Sequence, residues 1–269
     1  MQKIALPQKV TFKKIGERDS GQIIIEPCYP GYGTTLGNSL RRALLSSLPG
    51  AAVVGVKIKG SNHEFSTLPN IKEDILEIIL NLKNLRIKFF GEEGEVIKLE
   101  LKAKGKKKVT AKDIAKNSKV EVINEDLHIA EITDAGGVFE IDIYATSGFG
   151  YLPIEGRNTP EKEVGYIEVD SIFCPIRAVK VNIENVRVGQ MTNWERLIID
   201  IKTDGSLTFQ EALKQATYIL VEQFSFILDK AKEEVGEKKE IKKKEKKEKK
   251  KEEKEEDDSK NEPEEKSQK

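Results

Sequence analysis

The sequence predicts an α+β fold with a β-rich middle. Short alternating segments, rich in β-branched residues and separated by Gly, Asn, Asp or Lys, fill most of the chain before residue 203. Three other segments repeat apolar residues at the spacing of an amphipathic helix. The length of 269 residues allows one or two domains, each able to bury a core.

The chain opens with two predicted strands, 10–15 and 22–26, and then a helix that begins at Gly33. Thr34 or Thr35 can cap this helix. Gly37 weakens its middle by about 1 kcal/mol relative to Ala, so we expect another backbone to approach it closely. The apolar residues at helical spacing are Leu36, Leu40, Ala43, Leu44 and Leu48.

A second helix is predicted from Asn70, with Glu73 at the third position of a capping box. Its apolar face contains Ile75, Ile78, Ile79, Leu82 and Leu85. Five strand-like segments follow up to residue 168: RIKFF, VIKLELKAK, KVEVI, LHIAEI and FEIDIYA. This part of the chain is interpreted as a β-rich insertion.

Strands resume with VGYIEVD, IRAVKVNIENV and RLIIDIK, and a long helix capped by Ser206 or Thr208 follows. The apolar stripe of this helix contains Leu213, Ala216, Leu220, Phe224, Ile227, Leu228 and Ala231. It is wider than packing on one sheet requires. A partner chain is the leading candidate for the additional contact.

Residues 236–269 form a segment with a different composition. They contain 14 Lys, 13 Asp or Glu, no aromatic residue and one large aliphatic residue, Ile241. Such a segment buries too little apolar surface to offset the entropy of ordering it. The sequence therefore predicts a charged disordered tail.

Composition and motifs exclude several classes of function. Without residues 236–269 the chain has 32 Lys or Arg and 33 Asp or Glu, so no basic excess indicates a nucleic-acid-binding body. Cys28 and Cys174 are far apart, and His63 and His128 have no ligand-spaced partner. We expect no catalytic, cofactor or metal site, no membrane span, and a reduced cytoplasmic setting.

Long motifs in order resemble the bacterial-type RNA polymerase α-subunit family. They are GYGTTLGNSLRRALLSSLPGAAV, HEFSTLPNIKEDILEIILNLKNL, GFGYLP, EVDSIFCPIRAVKVNIENVRVGQMTNWERLIIDIKTDG and QEAL. The resemblance covers about residues 1–235. It implies a dimerisation domain of residues 1–49 and 171–235, with helices packed on an antiparallel sheet, and an inserted β-rich domain of residues 50–170.

The resemblance also implies a non-catalytic homodimeric scaffold that nucleates assembly of the polymerase β and β′ subunits, in a complex with ω and a sigma factor. DNA would be contacted only through the assembled enzyme. Arg42, Leu45 and Lys83 match the positions that contact the large subunits. The expected dimer-interface residues are Leu36, Leu40, Leu44, Leu213, Leu220, Phe224, Ile227 and Leu228.

The chain departs from the family pattern at a few positions. Phe149 replaces a usual basic residue, Ala178 replaces Lys or Arg, and Asn193 replaces an Asp that is often present. The helical DNA-binding domain that most members carry at the C-terminal end is not expected after Glu234. An alternative function is a dimeric nucleic-acid-binding protein that uses its Lys-rich tail. An independent enzyme is a third, disfavoured by the missing catalytic groups.

Overall fold

The computed structural model describes residues 4–16, 20–61, 63–92, 94–157 and 164–258, with side chains described through residue 233. The α-helices of this described part are α1 (Tyr32–Ser46), α2 (Ile75–Lys83) and α3 (Phe209–Asp258). Its strands in the first half are β1 (Lys9–Lys14), β2 (Ser20–Cys28), β3 (Pro49–Ile58), β4 (Ile87–Phe89), β5 (Ile97–Lys104), β6 (Lys107–Thr110), β7 (Val120–Val122) and β8 (His128–Ile132). The later strands are β9 (Val138–Phe149), β10 (Tyr151–Leu152), β11 (Tyr166–Glu168), β12 (Ser171–Ile172), β13 (Ile176–Val188) and β14 (Met191–Thr203).

The first sheet has the antiparallel order β1-β2-β14-β13, so strands from before and after the second sheet in the sequence meet in one layer. Helix α1 packs on β13 and β14. A Cβ on Gly37 would lie 2.7 Å from Val181 and 2.9 Å from Leu197. Gly37 is therefore needed for close packing, but the groups that approach it are side chains of the sheet, whereas we expected a backbone.

Helix α1 begins one residue before the predicted start and has no side-chain cap of its own. Neither Thr34 nor Thr35 caps it. Instead, the carboxylate of Glu195 on β14 accepts hydrogen bonds from the backbone N–H groups of Gly31 and Gly33, both at 2.8 Å. A carboxylate at this end also opposes the positive end of the helix dipole. The contact fixes α1 on the sheet beneath it.

The second sheet has the antiparallel order β11-β3-β9-β5 and lies between α1 and β13 in the sequence. It shares a core with α2 and with two small ribbons, β4-β7 and β6-β8. Phe139, Leu101 and Ile129 are central to this core and no more than 1% exposed. The helices and antiparallel sheets confirm the α+β prediction.

Helix α2 begins at Ile75, not at the predicted Asn70. Its N-cap is Asp74, whose side chain accepts a 2.7 Å hydrogen bond from the N–H of Glu77. Glu73 is buried and bonds instead to His128 and to the N–H of Glu131. Asn70 has a φ of 64° and lies outside the helix.

Helix α3 is capped by Thr208, one of the two predicted caps. The Thr208 hydroxyl accepts from the N–H of Glu211, and the Glu211 carboxylate accepts from the N–H of Thr208. The chain divides into two units, Met1–Ile219 and Leu220–Lys269. The backbone is helical to Asp258, while residues 259–269 lie outside the described part, so the disordered tail stays a prediction.

Candidate protein–protein interface

The residues predicted for a dimer interface fall into three groups by exposure. Leu40 and Leu44 are buried within the chain, under α1. Leu36, Leu213 and Leu220 are half-buried. The remaining three are more than half exposed: Phe224, Ile227 and Leu228. Leu40 and Leu44 thus support α1 from inside, and the exposed α3 residues are the ones that a second chain can contact directly.

The exposed apolar residues of α3 surround the helix. Val221 and Phe226 are also more than half exposed, and Phe226 lies nearly opposite Phe224 on a helix of 3.6 residues per turn. Large apolar groups facing water on several sides are typical of a helix that is covered in an assembly. The dimer interface itself stays a prediction.

Arg42 and Leu45 lie on the exposed side of α1, near its C-terminal end. Arg41 is exposed beside Arg42, but it points about 100° away around the helix. Leu45 is 37% exposed although it is apolar. Two of the three residues matched to large-subunit contacts, Arg42 and Leu45, are therefore accessible.

The C-terminal end of α1 contacts the segments that connect the two sheets. The Cys174 thiol donates to the carbonyl of Leu45 at 3.2 Å. Burial raises the pKa of this thiol, so it remains a protonated donor at neutral pH. Both cysteines are free. Phe173, next to Cys174, donates its N–H to the carbonyl of Gly150 at 2.8 Å.

Gly150 belongs to the turn GFGY, which brings exposed apolar residues next to α1. Phe149 ends β9 opposite Pro49, and Tyr151 pairs with Ile172 across the β10-β12 ribbon. Phe149, Tyr151 and Ile172 are about half exposed. With Leu45 they form an apolar area that we call the junction surface.

Lys83 forms an ion pair with Asp170, at the end of the β10-β12 ribbon away from Tyr151. Its ammonium group lies 3.1 Å from a carboxylate oxygen of Asp170, and the second oxygen accepts from the N–H of Ile154. The hydrogen bond from Lys83, followed by the one from Ile154, lowers the pKa of Asp170. Asp170 directly precedes β12. A series of contacts thus runs from Leu45 through the GFGY turn and the β10-β12 ribbon to Lys83, and Arg42 is exposed on α1 three residues before Leu45.

Arg157 forms hydrogen bonds that connect β3 with the residues at β12, a role that was not predicted from the sequence. Its guanidinium donates to the carbonyls of Val54 at 2.6 Å and Val169 at 2.7 Å, and to the hydroxyl of Ser171 at 2.7 Å. Ser171 in turn donates to the carbonyl of Val53. A lone Arg in a turn-rich segment carries no pattern that would reveal such long-range bonds.

We find no candidate catalytic centre in the part of the chain that the structure describes. No three His, Cys, Asp or Glu side chains converge there as metal ligands. His128 lies 2.8 Å from Glu73, while His63 is exposed. None of the described helices is long and apolar enough to cross a bilayer. The lysines proposed for nucleic-acid binding lie beyond the described side chains.

An α+β chain that exposes large apolar residues on α3 and at the junction surface has the features of a subunit of a larger assembly. Comparison with known proteins makes this specific. Residues 56–174 match the family model of the RNA polymerase Rpb3/RpoA insert domain. This range corresponds to the second sheet and its small ribbons.

Curated relatives share the name DNA-directed RNA polymerase subunit alpha. The chain is 45% identical to that of Alkaliphilus oremlandii over 79% of this chain and 66% of the relative. It is 45% identical to that of Carboxydothermus hydrogenoformans over 82% and 69%, and 43% identical to that of Macrococcus caseolyticus over 85% and 72%. The chain belongs to the family of bacterial DNA-directed RNA polymerase α subunits.

Proposed function

We propose that this chain acts in the cytoplasm as a non-catalytic homodimeric scaffold on which the β and β′ subunits of RNA polymerase assemble. The ω subunit and a sigma factor complete the complex, and DNA is contacted only through the assembled enzyme. The observation that carries this proposal is the junction surface, because it leaves four large apolar side chains exposed to water.

The exposed part of α3 supports the dimer. Stable homodimers commonly bury about 2,000 Å² or more of apolar-rich surface. Phe224, Ile227 and Leu228 on two copies supply large side chains for such an interface. A dimer presents the junction surface twice, so two related large subunits can each occupy one copy.

Arg42 is the most direct place to test the proposal. An interface arginine can make bidentate or stacked contacts that Ala cannot. We expect Arg42→Ala to leave the dimer intact and to weaken β-subunit binding by about 30-fold, which corresponds to about 2 kcal/mol. Arg41→Ala is the matched control, since it removes the same group one position away, and it should change the affinity little.

Binding is measured by titrating labelled β subunit with purified dimer, and dimerisation by light scattering. Equal affinities of the unmutated, Arg41→Ala and Arg42→Ala dimers for β would show that Arg42 is not a contact. Absence of any binding of β or β′ to the unmutated dimer would contradict the scaffold function itself.

A further inference from the structure

The described backbone of α3 continues as a helix well past its apolar residues, to Asp258. From residue 236 onward the sequence contains no aromatic residue and no arginine, and Ile241 is its one large aliphatic residue. The basic charge is concentrated in residues 238–251, with ten lysines and three glutamates. A helix that lies on a membrane needs an apolar face, so this segment has the composition for a different, charged partner.

The lysines and glutamates of residues 238–251 occupy different sides of the helix. At about 100° per residue, eight of the ten lysines fall within one half of the circumference, and Lys244 and Lys251 are the exceptions. The three glutamates fall in the other half. We call the eight lysines the basic face, which runs from Lys238 to Lys250 over about 18 Å of helix.

The spacing of lysines within the basic face favours a bound polyanion. Lys239, Lys243, Lys246 and Lys250 follow one another at three or four residues and lie within about 60° of the circumference. Like charges at this spacing destabilise a helix on its own. A polyanion along the face removes this repulsion, so its binding and the helical conformation stabilise each other.

The composition of the segment indicates which polyanion fits. Proteins that bind single-stranded nucleic acid combine basic charge with aromatic residues on which bases stack, and residues 236–269 contain no aromatic residue. Duplex DNA keeps its bases stacked and carries one phosphate charge per about 1.7 Å of its axis. Lysine acts as a point charge and does not require the planar partner that arginine recognises. A row of lysines without stacking groups therefore fits the backbone of duplex DNA.

We propose that, in the assembled polymerase, the basic face of α3 binds the phosphate backbone of duplex DNA independently of base sequence. This contact goes beyond the proposed scaffold function and relies on it only to bring the chain to DNA. Residues 252–265, with nine acidic residues and two lysines, end the attraction on the C-terminal side. The affinity falls with added salt, because each phosphate that a lysine neutralises releases counterions.

A photo-crosslinking amino acid in place of Lys246 identifies the occupant of the basic face. In polymerase reconstituted with the full-length chain and a labelled duplex DNA, irradiation should join this position to the DNA. The same amino acid in place of Glu248, about 200° further around the helix, is the control and should give far less adduct. Adducts to β, β′ or the second α copy alone, equal DNA adducts from the two positions, or no adduct from position 246 would overturn the inference.

Two charge-matched variants test whether the basic face, and not the total charge, binds DNA. The first carries four substitutions along the middle of the face: Lys239→Gln, Lys243→Gln, Lys246→Gln and Lys250→Gln. The second carries four substitutions outside that middle: Lys238→Gln, Lys244→Gln, Lys249→Gln and Lys251→Gln. Both variants lose the same positive charge. The affinity of each reconstituted polymerase for labelled duplex DNA is measured across a salt series.

We expect the first variant to bind duplex DNA about 10-fold more weakly than the unmutated enzyme in roughly 0.1 M salt, and with a shallower salt dependence. The second variant should lose about 3-fold or less. Equal losses in the two variants, or a single-stranded RNA that competes better than the duplex, would overturn the inference. Both variant dimers should bind the β subunit like the unmutated dimer. If β binds normally and the first variant loses no affinity for DNA, the basic-face inference is wrong and the scaffold function stands.

Discussion

The inserted domain and the outer part of α3 place their apolar residues in opposite environments. In the insert, Phe139 and Leu101 are enclosed by strands and by α2. In α3, Phe224, Ile227 and Leu228 face water. The first region is stabilised by its own packing, whereas the second leaves apolar surface exposed that the proposed dimer would cover. Mutations should therefore affect folding in one region and association in the other.

Truncating a core side chain of the insert should have the largest effect, which is on the free energy of unfolding. Phe139 is 1% exposed, and Phe139→Ala should lower the free energy of unfolding by about 3–5 kcal/mol, because it removes a large buried ring and leaves a cavity. Val138→Ala, at the exposed neighbouring position, should change it by about 0.5 kcal/mol or less. Urea titrations followed by circular dichroism measure both. Similar losses in the two variants would show that the insert is not packed as described.

A charge on α3 should break association without unfolding the insert. We expect Phe224→Asp to raise the dissociation constant of the dimer 100-fold or more, about 3 kcal/mol, since a carboxylate would be buried in the proposed interface. Ser225→Asp adds the same charge about 100° around the helix and should have a smaller effect. Light scattering across a dilution series gives the constants. A Phe224→Asp protein that stays dimeric at nanomolar concentration would refute the role of this face.

The smallest expected effect is the loss of folding stability of the insert at acidic pH. Burial alone would raise the pKa of Glu73, but hydrogen bonds from His128 and from the N–H of Glu131 lower it overall. A carboxyl group with a lowered folded-state pKa adds stability above its unfolded pKa and loses it as the pH falls through the folded value. Stability should therefore decrease as the pH falls below about 5.

His128→Ala tests this assignment, because it removes the hydrogen bond and raises the pKa of Glu73 toward or above its ordinary value. The variant should be less stable at pH 7 and should lose less further stability between pH 5 and 3, measured by urea midpoints. His63→Ala, at an exposed site, is the control. An acid profile unchanged by His128→Ala would show that this pair does not set the pH dependence.

The sequence predicted the regular elements well because their signals are local. Apolar residues alternate along FEIDIYA and recur every three or four residues around Leu40, so each pattern can be recognised within a short stretch of sequence. The start of α2 was predicted wrongly for a reason that is not local. Glu73 fits a capping box, but in the folded chain its carboxylate forms hydrogen bonds with His128 and with the N–H of Glu131, which lie on β8.

The site was predictable only in part for the same reason. The resemblance supplied Arg42, Leu45 and Lys83, while Tyr151, Ile172 and the Arg157 bonds required the three-dimensional contacts. Periodicity also cannot tell which side of an amphipathic helix faces its own sheet. Leu40 and Leu44 share the stripe expected at a partner, yet they are buried against β13 and β14. The wide stripe of α3 predicts a contact with a second chain because no single sheet could cover it, and that contact stays a prediction.

The insert is joined to the first sheet by two chain crossings, and these touch each other. A Cβ on Gly50, where the chain leaves, would overlap the carbonyl oxygen of Phe173, where it returns. Two strands in contact resist bending and twisting more than two separate tethers would. Because α1 packs on the first sheet and α2 packs in the core of the second, this joint connects the two layers that carry Arg42 and Lys83. In the proposed assembly, a partner would meet Arg42 and Lys83 on two elements that this joint connects, and substituting Gly50 would disturb the joint without changing either residue.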